Sequence, residues 1–199
     1  MHDKPFSQAC ENNKDPILRV IRRSFTQVSV VWEIGSGTGQ HACHFAENLP
    51  HLQWQPTDRA ENLAGIGRWV QESALENLLL PMALDINDPV WPCDSIDALF
   101  TANTLHIMSW REVKTLFARL QDLLTTGAPV CIYGPFNYHG SYTSNSNAIF
   151  DRSLKARNPL CGIRDSEAVL ALAAAAGLRL LEDNAMPANN RLLVFRKRG

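Results

Sequence analysis

No basic field runs through this sequence. Its 199 residues carry 19 lysines and arginines against 20 aspartates and glutamates, a formal net charge of −1. Global charge therefore offers no grip on a nucleic-acid backbone. The one cationic run, Arg196-Lys197-Arg198, lies at the chain end and reads as a solvated terminus. Paired cysteines are missing as well: the five cysteines are odd in number, widely spaced and form no C-x-x-C, which argues against a disulfide framework or a zinc site. No apolar run is long enough to span a bilayer, and Met1-His2-Asp3-Lys4-Pro5 leads into no secretory apolar segment. The expectation is a cytoplasmic protein with reduced thiols and with no nucleic-acid or membrane partner. The length suits one α/β domain over residues 1–199, and no repeat or linker divides it.

What is present is alternation. Strands are expected at 28–34, 52–58, 78–84, 96–102 and 128–133, where β-branched and aromatic residues concentrate. The third of these contains a proline and should be irregular or near an edge. Helices are expected at 41–49, 61–74 and 110–124, and from Asp15-Pro16 onward, with Asp15 as cap and Pro16 in the first turn. Residues 134–165 break the rhythm with a polar insertion rich in Asn, Ser, Tyr and Gly, holding one short helical stretch at 148–155. A helix capped by Ser166 and ended by Gly177 follows. Two last strands, 178–184 and 191–196, are joined too tightly for a parallel crossover and should be antiparallel. The implied fold is a doubly wound, Rossmann-like α/β domain: a mainly parallel seven-stranded sheet with helices on both faces and a C-terminal antiparallel hairpin.

The strongest chemical signal is Glu33-Ile34-Gly35-Ser36-Gly37-Thr38-Gly39, set where a buried strand turns into a helix. Glycines there allow a sharp bend and let a ligand approach the main chain. The G-x-G-x-G spacing departs from the pyrophosphate fingerprint and counts against a standard NAD site. An acid two residues before the first glycine suits a cofactor with a cationic amino group, such as S-adenosylmethionine (SAM). Asp58 ends the second strand, roughly 20 residues on, where an acid accepts from ribose hydroxyls or caps the next segment. Asp85 and Ile86 end the third strand as an adenine contact or a plain turn. Asn103 ends the fourth. All these positions lie at carboxyl ends of strands, the edge at which open α/β sheets bind ligands. His41, Cys43 and His44 crowd the helix after the loop but lack a spaced partner, so no metal site is expected.

With these residues in view, the chain resembles class I SAM-dependent methyltransferases. More closely it is similar to the methyltransferase-like protein 26 family and its bacterial relatives. The similarity is carried by residues 6–18, Glu33 to His41, Tyr133-Gly134-Pro135-Phe136, Gly162-Ile163-Arg164-Asp165 and Met186-Pro187-Ala188-Asn189-Asn190. Trp32 departs from the aliphatic residue usual at its position. The resemblance implies the fold and a SAM site made of Glu33, Gly35, Ser36, Gly37, Thr38, Gly39, His41, Asp58, Asp85, Ile86 and Asn103. It names no substrate.

Methyl transfer asks a protein mainly for positioning and desolvation, with a base for some acceptors. His106 is the candidate base, because histidine ordinarily titrates near neutral pH; its other reading is a packing residue. Tyr138, Tyr142 and Asn147 in the insertion are candidate substrate contacts. Asp151, Arg152 and Arg164 are candidates for a charged substrate or for ion pairs. Residues 1–15, with Asn12, form a candidate lid. The compact domain points to a small-molecule acceptor. A protein methyltransferase and a non-catalytic SAM-binding regulatory protein remain as alternatives, and the oligomeric state is not legible.

Overall fold

Residues 4–199 are described by a computed structural model. Helix α1, Gln8–Ser24, begins well before the expected Asp15-Pro16 start. Ser7 is the cap, its hydroxyl accepting from the Cys10 N–H at 3.4 Å, and Pro16 lies inside the helix. A proline there forfeits a backbone hydrogen bond. Burial of Ile17, Leu18, Val20 and Ile21 on one face outweighs that loss.

The chain forms two compact units, the first ending at Thr101 and the second spanning Ala102–Gly199. In the first, β1 (Val30–Ile34) lies between two parallel neighbours, β2 (Gln53–Asp58) and β4 (Leu99–Ala102). The third strand is shorter than the sequence pattern suggests. Only Met82–Ala83, β3, pairs with β2, while Leu78 makes an isolated bridge to Trp54. Pro81, which has no N–H to donate, sits between the two paired stretches. Helices α2 (Gln40–Asn48) and α3 (Leu63–Ser73) complete this unit. Phe45, Trp54 and Phe100 lie mutually 5.2 to 5.6 Å apart between ring centroids, in tilted or edge-to-face arrangements. That aromatic cluster holds α2 against the sheet.

The second unit starts with α4, Trp110–Leu123, under a complete capping box: Ser109 Oγ accepts from the Glu112 N–H, and the Glu112 carboxylate accepts from the Ser109 N–H. Strand β5, Pro129–Gly134, follows. The insertion is more ordered than expected. It contains β6 (Phe136–Asn137) and α5 (Asn145–Arg157), capped by Ser144, and β6 pairs in parallel with β7 (Arg164–Asp165). Helix α6, Ser166–Ala175, starts at Ser166 rather than after it, so Asp165 occupies the N-cap position, without a side-chain capping bond. Gly177, at φ 74°, ends it as expected. Strands β8 (Leu178–Met186) and β9 (Asn190–Lys197) are the antiparallel hairpin read from the sequence, and β9 also runs antiparallel to β5. Their turn places Ala188 and Asn189 in the left-handed region. The seven-stranded order is β3-β2-β1-β4-β5-β9-β8, so the expected mainly parallel sheet with an antiparallel end is the fold observed.

Candidate functional site

The glycine loop is pinned from below by β2. The Gly35 and Ser36 N–H groups both donate to the Thr57 carbonyl at 3.0 Å, and the Thr57 hydroxyl donates to the Glu33 carbonyl at 2.7 Å. Gly35, Gly37 and Gly39 all have positive φ, at 74°, 59° and 90°. The last two meet different surroundings. A Cβ on Gly39 would lie 3.2 Å from the Ile66 backbone, so this glycine lets α3 pack closely. A Cβ on Gly37 would meet nothing within 4 Å. On its Cβ side the main chain at Gly37 is open, as a close approach of a ligand to the backbone requires.

Glu33 is 1% exposed, and its Oε2 accepts from the Ser36 hydroxyl at 2.9 Å and the Trp54 indole at 3.0 Å. Burial pushes its carboxyl up to about 7, against the pull of those two hydrogen bonds. Asp58 is turned toward the loop: one oxygen accepts from the Gly37 N–H at 2.7 Å, the other from the Arg59 N–H and the Asn62 amide. Asp85 closes a turn onto the Asn87 N–H at 2.8 Å, beside the buried Ile86. The Thr38 hydroxyl donates to Gln40.

His41 and Asn12 stand differently from expectation. The His41 ring is 4% exposed, stacks on Phe45 and shares a 2.6 Å hydrogen bond with Asn13. Burial holds its pKa down at about 4. It anchors α1 on the body of the unit. Asn12 faces solvent and accepts a local bond from Gln8. The inward residues of α1 are its neighbours: Asn13, and Glu11, which accepts from the Gln40 amide at 2.6 Å. Of the candidate lid, residues 1–3 lie outside the described residues and residues 8–15 are the first two turns of a packed helix.

In the second unit Asn103 follows β4 at φ 59°, a left-handed conformation uncommon for a non-glycine residue, and its N–H donates to the Tyr133 carbonyl. His106 is 6% exposed, and its ring makes no hydrogen bond among the described residues. Phe150 meets it edge-on at 5.3 Å. A Cβ added to Gly134 would lie 3.8 Å from His106 Nδ1 and 4.0 Å from Asn103 Oδ1, so these two polar atoms flank a bare stretch of backbone. Burial, with a smaller push from the Arg164 charge, lowers the His106 pKa to about 4. The imidazole is therefore neutral at physiological pH, and the expectation that it titrates near neutrality fails because it is desolvated.

The substrate candidates of the insertion have different hydrogen-bond partners. The Tyr138 hydroxyl donates to Asp183 at 2.7 Å, and burial plus that carboxylate push its pKa up to about 12. The Tyr142 hydroxyl donates to Asp151, which is 1% exposed and also accepts from Lys155 and the Ile163 N–H. Asn147 and Asn189 do come together, through the Asn147 amide and the Asn189 carbonyl at 3.3 Å. The Arg164 guanidinium donates to the carbonyls of Leu105, Met108 and Leu160. Asp183 was not singled out in the sequence, and Asn13 and Gln40 were not read as partners of His41 and Glu11. Each acts through a partner at least 28 residues away, which no local motif signals.

Solved structures of methyltransferases share this fold. An O-methyltransferase family protein from Burkholderia thailandensis superposes with a TM-score of 0.82 at 15% identity, covering 94% of this chain and 56% of that one. Human N-acetylserotonin methyltransferase in complex with SAM matches equally well, at 0.82 and 15%, over 96% of this chain and 53% of its own. A family 2 O-methyltransferase from Planctomyces limnophilus in complex with apigenin gives 0.74 and 18%, over 84% and 50%. The chain thus spans about half the length of the solved structures it matches. By sequence it belongs to the family described as protein of unknown function (DUF938), matched over residues 4–197. Among the described residues no group of His, Cys, Asp or Glu is arranged to hold a metal ion, and no helix is long and apolar enough to cross a membrane.

Proposed function

We propose that this protein is a methyltransferase that binds SAM at the Glu33–Gly39 loop and methylates a small-molecule acceptor in the cytoplasm. The observation that carries this reading is the open main chain at Gly37, next to a buried acid and beneath an Asp58 carboxylate. The likeness to a SAM-bound enzyme supports it. The similarity to methyltransferase-like protein 26 is read as kinship of the same kind.

The residues fit the cofactor. SAM supplies a methyl group already activated by its sulfonium, so the chain's work is to bind, orient and exclude water. Glu33, with a pKa near neutrality, ionises readily when a cationic group arrives, and burial strengthens that attraction. Asp58 would exchange its Gly37 N–H bond for sugar hydroxyls, freeing that amide for the ligand. Asp85 and Ile86 would take the base. In the second unit, neutral His106 accepts a hydrogen bond from the acceptor's N–H or O–H. With a pKa of about 4 it aligns that group and is a weak proton acceptor, so the reading favours a nucleophile that needs little help, such as an acidic hydroxyl or an amine. Tyr138 stays protonated.

Incubation with radiolabelled SAM, first with a metabolite extract and then with cell protein, tests this reading. Label is expected in the small-molecule fraction. Label confined to protein would convert the reading to a protein methyltransferase. SAM bound without transfer to either fraction would leave a non-catalytic SAM-binding regulatory protein.

A further inference from the structure

The segment that carries His106 is held from outside itself. Four consecutive carbonyls, of Leu105, His106, Ile107 and Met108, each accept a hydrogen bond from residues 161–164. The Cys161 thiol reaches Ile107 O at 3.1 Å, the Gly162 N–H reaches His106 O at 2.9 Å, and Arg164 Nε reaches Leu105 O at 3.0 Å. Arg164 Nη2 takes Met108 O and also Leu160 O, at 3.0 Å for the latter. One planar guanidinium therefore spans both ends of the turn and ties it to the strap that follows α5. The strap is itself fixed, because the Ile163 N–H donates to the buried Asp151 carboxylate at 2.7 Å. It is also tight: a side chain on Gly162 would approach Asp151 Oδ1 and Lys155 Cε to 2.9 Å. Against this restraint, the His106 ring has no hydrogen-bond partner of its own among the described residues, only the Phe150 edge. Its orientation is set by the backbone that carries it.

We propose that Arg164 is a positioning residue, whose fork across the Leu105 and Met108 carbonyls fixes where the His106 ring lies. The proposal rests on the methyltransferase reading for its purpose, but not for its geometry. A carbonyl-binding fork needs the planar, two-edged donor set of arginine. Lysine brings the same charge as a point and cannot span both ends of the turn. Arg164 is the charged group acting on His106, and Arg164 itself faces Cys161, Asp151 and Glu112.

The His106 ring, assigned by comparison with His106→Asn, is titrated by NMR in the wild type, Arg164→Lys and Arg164→Met. SAM binding is measured in parallel by calorimetry. Loss of the fork is expected to loosen the turn, admit water and move the His106 midpoint up toward the ordinary histidine range by about one pH unit or more, in both variants. The lysine variant is decisive, since it keeps the charge and is the conservative change should Arg164→Met not fold. A lysine variant whose thermal midpoint falls while His106 titrates as in the wild type would overturn the proposal, leaving Arg164 a purely structural tie. Failure of the wild type to bind SAM would sink the methyltransferase reading without touching the titration result.

Discussion

Gly37 and Gly39 should answer the same substitution in different ways. Both have positive φ, so alanine at either costs about 1–2 kcal/mol in backbone strain. At Gly39 the added methyl also meets Ile66 backbone at 3.2 Å, and overpacking adds about 1–3 kcal/mol more. Urea denaturation is expected to rank Gly39→Ala well below Gly37→Ala in stability, whereas SAM calorimetry should find affinity reduced in the Gly37 variant although it remains folded. Equal stability losses would show that the two glycines do not divide the work this way. Buried titratable groups give a second prediction. His41 and His106 are held at about 4, below the ordinary 6.5, so the unfolded chain binds more protons between those values and stability falls as pH drops through that window. Each removes about 2 kcal/mol between about pH 7 and about pH 5. Glu33, raised from 4.5 to about 7, has the opposite sign: its protonated form is favoured by folding, so acidification returns stability over the same range. Glu33→Gln removes that return. Its loss of stability between the two pH values is expected to exceed that of the wild type by about 2 kcal/mol in urea titrations. Parallel curves would place the Glu33 carboxyl in a more polar setting than the one described.

Among the elements, α4 is specified most locally. Ser109 and Glu112 satisfy each other's backbone donors, and Val113, Leu116, Phe117 and Leu120 supply the buried face. Ser109→Ala is expected to cost about 1 kcal/mol, read from the urea midpoint at unchanged slope. An unchanged midpoint would mean that water satisfies the helix end equally well. Helix α1 is specified less locally. Its early start depends on Ser7 as cap and on Glu11 and Asn13 finding Gln40 and His41 on α2. From sequence alone the polar run before Asp15 has no visible apolar period, so the first turns read as a lid segment rather than as part of the helix. The insertion is legible only in part for a related reason: the helical stretch expected at 148–155 is the middle of α5, while the first turn of that helix and the short strands on either side are not signalled. Asn, Ser and Tyr look like loop residues until Ser144 caps α5 and Asp151 gathers Tyr142, Lys155 and the Ile163 N–H. Those partners are what turn a polar stretch into a helix and a short strand.

Across the whole molecule, what could be read in advance was whatever repeats with a local period or needs a particular backbone. Alternating β and α patterns, a glycine-bearing bend and a connection too short for a crossover were enough to anticipate the strand directions and the position of the loop. Pairings between distant side chains were not legible. Arg164 reads as a candidate for a charged substrate or an ion pair and instead binds carbonyls; Tyr138 reads as a substrate contact and binds Asp183 on the final hairpin. The central claim is that the bare backbone at Gly37 holds SAM. It is tested most directly by isothermal calorimetry of the wild type and Gly37→Val with SAM, with NAD as the competing dinucleotide. The account predicts saturable one-to-one SAM binding by the wild type, at least tenfold weaker binding by the valine variant, and no heat with NAD. Tight binding of NAD without SAM, or SAM binding untouched by valine at position 37, would contradict it.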